Sequence, residues 1–295
     1  MQQLDYNSPS FLKSFMEEKG MSMQKKFGQN FMINESNRKK IIDCLELTSN
    51  DYVFEVGPGL GCMTKEILAS GAKVTVFEID YGFVKILHEV FAEEEKKDSL
   101  NIVEGDVLKN WLPYYKSIKA PCDQNGLCQI KLFGNLPYNI AATFIASTIT
   151  KGITFKKCVF TLQKEVTERI LAKASSENYS AFSVLCQFAY DVKGGLESGP
   201  GCFWPKPNVA SQSVILTPKE KKYECSDTAF FVKLVHALFS SRRKTINNNI
   251  KSILPKNLSA KELFEKCKIN PNERAENLKV EDFLLLSENI VNAII

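Results

Sequence analysis

Histidine and tryptophan are nearly absent from these 295 residues, with two of each. His88 and His236 are too few to build a histidine-based metal centre. Long apolar runs are missing too: no stretch reaches the roughly 20 residues that cross a bilayer. The opening MQQLDYNSPS lacks the basic-then-apolar order of a secretory leader, so a cytosolic protein without a membrane partner is expected. Neither sign of charge dominates: Lys+Arg 38 against Asp+Glu 34 leaves +4, too little by itself to establish a polyanionic partner, so clustering matters more than the total. Cysteine is present but unordered. Cys44, Cys62, Cys122, Cys128, Cys158, Cys186, Cys202, Cys225 and Cys267 contain no C-x-x-C pair and are odd in number, which predicts reduced, mostly buried thiols and no bound metal.

What is present suffices for a sizeable core, and the length exceeds that of one ordinary domain, so two unequal domains are expected. Apolar runs at Tyr52 to Val56, Val74 to Ile79 and Ile130 to Phe133 are each followed by Gly, Asp or Asn and then by helix-like periodicity. That alternation predicts parallel strands with helical crossovers, the helices placed by Ile67 and Leu68 and by Val84, Ile86 and Leu87. Further strands are expected at Cys158 to Leu162, Leu185 to Val192 and Ser213 to Leu216, with GGLESGPGCFWPKP as an excursion between the last two. Asn110 to Gln129, with two prolines and a glycine, reads as a surface loop. Beyond Thr217-Pro218 the texture changes to helical stretches at Phe230 to Phe239, Ile246 to Leu254, Ala260 to Cys267 and Val280 to Ile290. The expected division is therefore 1–222, a Rossmann-like α/β domain, and 223–295, a small all-helical domain.

The run Val53-Phe54-Glu55-Val56-Gly57-Pro58-Gly59-Leu60-Gly61 sets three alternate glycines after the first strand, where the backbone can lie against a ligand. The spacing is G-x-G-x-G, not the dinucleotide G-x-G-x-x-G, and Glu55 would repel a phosphate. A phosphate-free nucleoside cofactor such as S-adenosylmethionine fits better. Glu78 follows about twenty residues on, the distance at which an acid accepts both hydroxyls of a ribose. Asp106, in GDV after a third strand, sits where a carboxylate could accept an adenine amine. Each acid alone could equally be a helix cap, and Asp80 is the bland neighbour.

Asn135-Leu136-Pro137-Tyr138 follows the strand that ends in Lys131-Leu132-Phe133-Gly134. An exocyclic adenine amine is a poor nucleophile, and a site acting on it needs two acceptors for the amine hydrogens and a flat face for the extruded base. The Asn135 side-chain oxygen and the Leu136 carbonyl can be the acceptors, and Tyr138 the stacking face. A simple Asn-Pro turn would also produce this tetrapeptide.

With these motifs the chain resembles the ribosomal RNA adenine dimethyltransferase family from about Lys25 to Phe283. KKFGQNFM (Lys25 to Met32), GPGLG, FEID, GDV and NLPYNI match its successive blocks. So do LQKEVTERI (Leu162 to Ile170), the F-x-P-x-P-x-V pattern of Phe203, Pro205, Pro207 and Val209, RRKTINNN (Arg242 to Asn249) and RAENLKVEDF (Arg274 to Phe283). Met32 in place of Leu, and YSAF (Tyr179 to Phe182), depart from the pattern. The resemblance implies S-adenosylmethionine contacts from Asn30, Met32, Gly57, Glu78, Asp106 and Asn135, and a methyl-transfer centre at Asn135, Leu136 and Tyr138 with Phe203 as a second ring on the base. It implies a monomeric enzyme acting on small-subunit rRNA or the pre-assembled subunit, at paired adenosines in a hairpin loop near the 3′ end, each receiving two methyl groups. Lys25, Lys26, Arg38, Lys39 and Lys40 around the N-terminal motif, and Arg242, Arg243 and Lys244 in the helical domain, form basic clusters suited to RNA phosphates. Two alternatives stay open: a large-subunit rRNA methyltransferase conferring antibiotic resistance, and a non-catalytic nucleic-acid-binding module of the same fold. A substitution of Glu78 is expected to weaken cofactor binding and leave the fold intact.

Overall fold

The computed structural model describes residues 4–21, 30–118, 128–220 and 223–294. Ser8 starts the first helix, its hydroxyl accepting from the Phe11 amide while Pro9 supplies a pre-set φ, which gives α1 (Pro9–Glu18). A short strand, β1 (Phe31–Met32), leads into α2 (Glu35–Asp43), capped by the Asn34 side chain. The predicted alternation follows: β2 (Tyr52–Val56), α3 (Cys62–Ala69), β3 (Lys73–Glu78), α4 (Tyr81–Val90), the short α5 (Ala92–Lys96), β4 (Leu100–Glu104), α6 (Val107–Ser117), β5 (Cys128–Asn135), α7 (Tyr138–Thr150) and β6 (Phe155–Gln163). Then come α8 (Lys164–Leu171), α9 (Ala181–Ala189), β7 (Tyr190–Ser198), β8 (Phe203–Trp204) and β9 (Ser211–Pro218).

β2 pairs in parallel with β3 and β5, β3 with β4, and β5 with β6, as crossover helices dictate, whereas β9 runs antiparallel to β6. The strand order is β4-β3-β2-β5-β6-β9-β7. Strand order reverses between β2 and β5, so the crevice for a ligand opens at the carboxyl ends of these strands. Below it Val53, Val74 and Val76 share one apolar core with Ile67, Phe83 and Leu87 of the crossover helices and with Leu12, Phe15 and Met16 of α1. β1 and β8 form a separate antiparallel ribbon, Met32 opposite Phe203.

The chain divides into two compact units. One comprises Met1–Phe144, Phe155–Thr167 and Lys193–Thr217; the other gathers Ile145–Thr154, Glu168–Val192 and Pro218–Ile295. The second unit carries α10 (Thr228–Leu238), α11 (Ile246–Ile250), α12 (Ala260–Cys267) and α13 (Val280–Ile294), close to the four helices read from the sequence. Asp227 caps α10, and Ser259 with Glu262 forms a capping box on α12. Inside this unit Phe188 packs on Phe231 at 4.3 Å and Phe239 stacks on Phe283 at 5.7 Å.

The expected α/β fold with a helical C-terminal region is the one observed. Two local expectations are corrected. Leu185 to Val192 is the end of helix α9 and the start of β7, because an apolar run of that length packs equally well as either. Asn110 to Ser117 belongs to α6, whose Trp111 is buried against Phe144 and Phe155, a packing that outweighs Pro113 within the helix. Residues 119–127 of the expected loop lie outside the described residues.

Candidate active site at the carboxyl ends of the strands

A cavity of about 260 Å³ occupies the crevice where β2, β3 and β5 end and where α6 begins. Each wall follows from local chain geometry. β2 runs into a turn in which Gly57, Gly59 and Gly61 all adopt positive φ, at 69°, 57° and 83°. A Cβ on Gly59 would stand 2.6 Å from the Phe31 ring, so this glycine also lets an aromatic wall close on the turn. Phe31 meets Phe83 edge to face at 5.6 Å, and both line the cavity.

Glu78, Asp106, Asn135, Leu136, Gly57 and Asn30 all line this one space, although they come from segments far apart in the chain. Glu78 is 5% exposed, and its carboxylate accepts from the Gly59 amide at 3.0 Å and the Asp80 amide at 2.8 Å. It therefore anchors the glycine turn, so its replacement is expected to cost stability as well as any ligand contact. Burial raises the Glu78 carboxyl above the usual range against the lowering effect of those two amides. Asp106 accepts from the Leu108 amide at 3.0 Å, so it caps α6 as well as lining the cavity, and Asp80 caps α4 through the Gly82 amide. The nitrogen end of the Asn135 side chain donates to the Asn30 carbonyl at 2.9 Å, which commits that end and turns the oxygen into the accepting one.

One acid, read from the sequence only as a repeller of phosphate, was not placed in the site. Glu55 is 1% exposed, lines the cavity, and its Oε2 has no hydrogen-bond partner among the described residues. Burial pushes its carboxyl up to about 8 against the lowering effect of the neighbouring Thr64 hydroxyl, and the nearby Glu78 charge adds to the rise. The signal was in the sequence, as the acid two residues before Gly57, but burial at a strand end cannot be read from one chain. The aromatic walls Phe31, Phe77, Phe83 and Phe133 were missed for the same reason.

Other expected residues fall elsewhere. Met32 and Phe203 are 2% and 3% exposed, opposite each other in the β1–β8 ribbon, and do not line the cavity. Tyr138 opens α7 at 37% exposure, outside the lining itself. Lys25 and Lys26 lie outside the described residues. Arg38 is buried and holds the Met32 carbonyl at 2.9 Å. In the second unit the Arg242 guanidinium contacts Glu276 at 3.0 Å and the Glu177 carbonyl at 2.7 Å, whereas Arg243 and Lys244 are exposed in the turn before α11. Among the described residues no group of three His, Cys, Asp or Glu side chains is arranged to hold a metal, and no helix is long and apolar enough to cross a membrane.

A sheet of this order, with a glycine turn after its switch-point strand and acids at the next strand ends, defines the Rossmann-like methyltransferase class of fold. The comparisons narrow it. The ribosomal RNA adenine dimethylase family matches residues 20–292, and this chain belongs to that family. It is 45% identical to the protein named ribosomal RNA small subunit methyltransferase A from Treponema denticola over 97% of this chain and 96% of the relative. Among solved structures, a dimethyladenosine transferase from Plasmodium falciparum superimposes with a TM-score of 0.68 at 25% identity, over 89% of this chain and 98% of that one. The 23S rRNA methyltransferase ErmE shares the fold, with a TM-score of 0.57 at 18% identity over 88% and 98% of the two chains.

Proposed function

We propose that this protein is the small-subunit rRNA adenine dimethyltransferase of its cell, placing two methyl groups on each of two adjacent adenosines in a hairpin loop near the 3′ end of that rRNA. The observation that carries the reading is the convergence of Gly57, Glu78, Asp106 and Asn135 on one cavity. The cavity suits S-adenosylmethionine: it has a glycine-rich turn open to a ligand and acids at two strand ends, Glu78 and Asp106. Acids at the strand ends accept ribose hydroxyls and disfavour a phosphate. Bound there, S-adenosylmethionine supplies a methyl group already activated by its sulfonium charge.

The rest of the task falls to the chain. Glu78 and Asp106 hold the cofactor's ribose hydroxyls and adenine amine, with Asn30 and Gly57 as backbone contacts. The Asn135 oxygen, oriented by the bond that the side-chain nitrogen donates to the Asn30 carbonyl, and the Leu136 carbonyl accept the two hydrogens of the target amine and align its nitrogen. Tyr138, at the exposed start of α7, offers its ring to the extruded base. No general base is required, because the amine proton is released after the nitrogen becomes cationic. Arg243 and Lys244 contact rRNA phosphates, residues 1–222 supply catalysis and 223–295 supply RNA binding. The enzyme acts as a cytoplasmic monomer and uses no metal. The 45% identity to a relative carrying the small-subunit name supports this choice of particle.

Incubation with labelled S-adenosylmethionine and separately purified ribosomal subunits tests the reading. Label confined to small-subunit rRNA is expected. Label on the large subunit would replace the substrate assignment, and no label with tight RNA binding would replace the enzyme by a binding module.

A further inference from the structure

Residues ahead of the family's matched span build part of the cofactor site's support. The match begins at residue 20, yet Leu4, Tyr6, Leu12, Phe15 and Met16 are buried in the same core as Phe31, Leu60, Phe83 and Phe91. The Tyr6 hydroxyl donates to the Leu60 carbonyl at 2.8 Å in a buried setting, fifty-four residues along the chain. Leu60 lies between Gly59 and Gly61, both at positive φ, so this carbonyl belongs to the turn that lines the cavity. The turn is also tied by the Gly57 amide to the Phe77 carbonyl, the Gly59 amide to Glu78, the Gly61 amide to the Pro58 carbonyl and the Lys65 amide to the Gly61 carbonyl. Arg38, 6.0 Å from the centre of the Tyr6 ring, locks the same corner by donating to Asn7 Oδ1 at 2.8 Å and to the Met32 carbonyl at 2.9 Å. At the far end of α1, Lys19 pairs with Glu89 of α4 at 2.6 Å.

We infer that residues 4–19 brace the cofactor turn and that Tyr6 is a positioning residue, acting through the Leu60 carbonyl on the backbone that faces the cofactor. The inference rests on the reading that this cavity binds S-adenosylmethionine. A turn that alternates left-handed glycines with Pro58 and Leu60 lacks the repeating bonds of a helix, so each carbonyl needs an individual partner, and an orphaned buried carbonyl reorients until it finds one. Reorientation at Leu60 moves Gly59 and Gly61 with it.

Tyr6→Phe removes the hydroxyl and keeps the ring. By calorimetry it weakens S-adenosylmethionine roughly five- to tenfold, the value of one buried hydrogen bond. rRNA affinity and turnover at saturating cofactor stay at wild-type values, and the cofactor-induced rise in Tm shrinks. Asn7→Ala, which loosens Arg38 instead, shifts cofactor affinity in the same direction by less. A purely structural anchor would lower the apo Tm and leave cofactor affinity alone, so wild-type affinity in both variants overturns the inference. Failure of the wild-type protein to bind S-adenosylmethionine overturns the cofactor reading itself, and this inference with it.

Discussion

Replacing Glu78 tests how far one side chain serves both the fold and the ligand. Its carboxylate, 5% exposed, takes hydrogen bonds from the Gly59 and Asp80 amides at 3.0 and 2.8 Å. Glu78→Ala leaves both donors buried without an acceptor, at about 1–3 kcal/mol each. Part of that is offset, because the variant no longer holds a carboxyl in a buried setting beside Asp80. The net expected loss is about 2–4 kcal/mol, a large share of the stability of an ordinary domain. Glu78→Gln keeps one acceptor and turns an amide donor toward the other N–H, so it should lose about half as much. Urea denaturation of both variants, with calorimetry of S-adenosylmethionine binding on the folded proteins, separates the roles. Cofactor affinity should fall at least about tenfold in Glu78→Ala, as expected when a charged acceptor leaves two hydroxyls unpaired. A wild-type denaturation midpoint for Glu78→Ala would refute the anchoring role. Unchanged affinity would remove Glu78 from the cofactor site.

Charge removal at Arg243 and Lys244 should lower rRNA affinity and flatten its salt dependence by roughly 0.7 to 0.9 log units per lost phosphate contact, cofactor affinity unmoved; an unaltered slope would make them a solvated turn. Arg242→Ala should behave differently, lowering stability through its lost ties to Glu276 and the Glu177 carbonyl. Because burial raises Glu55 from 4.5 to about 8, the native protein holds a proton that the unfolded chain has released across that window. Stability should therefore be complete below it and fall as pH rises through it, by at most about 1.4 kcal/mol per pH unit, and Glu55→Gln should flatten the profile in denaturant titrations. At the transfer centre, single-turnover rates with bound rRNA should be nearly lost in Asn135→Ala, largely kept in Tyr138→Phe and far lower in Tyr138→Ala; equal inactivity of the two Tyr138 variants would make the hydroxyl chemically necessary.

The parallel strands were legible because buried strands read as short apolar runs, and Gly57, Glu78, Asp106 and Asn135 were legible because each stands at or just beyond the end of a strand. What escaped depends on partners distant in sequence. Helix α9 looked like a strand because its apolar residues are contiguous, and only its burial on several sides explains the run. Pro113 disguised α6, whose stability comes from Trp111 packed on Phe144 and Phe155. Nothing around Arg242 announced that its guanidinium would meet Glu276, thirty-four residues on. Nor does any local pattern join Tyr6 to Leu60.

The choice between cap and ligand, which the sequence posed for each acid, dissolves once the atoms are placed. A carboxylate has two oxygens and several lone pairs, so one bond to a backbone amide does not exhaust it. Asp106 uses Oδ1 on the Leu108 amide and still faces the cavity; Asp80 makes the same kind of cap and stays outside the lining. The difference lies in the strand each follows. β4 delivers Asp106 to the crevice floor beside Gly105, while Glu78, at the end of β3, takes that place ahead of Asp80. Fixing an acid by a cap also removes rotamers that it would otherwise lose on binding, so the structural bond lowers the entropic cost of holding a ligand. The same logic applies to Asn135, whose amide is turned by the Asn30 carbonyl before any base arrives. In the proposed reaction, preorganisation of this kind would make the acceptors effective in the transition state, because they need not move when the amine nitrogen begins to gain positive charge.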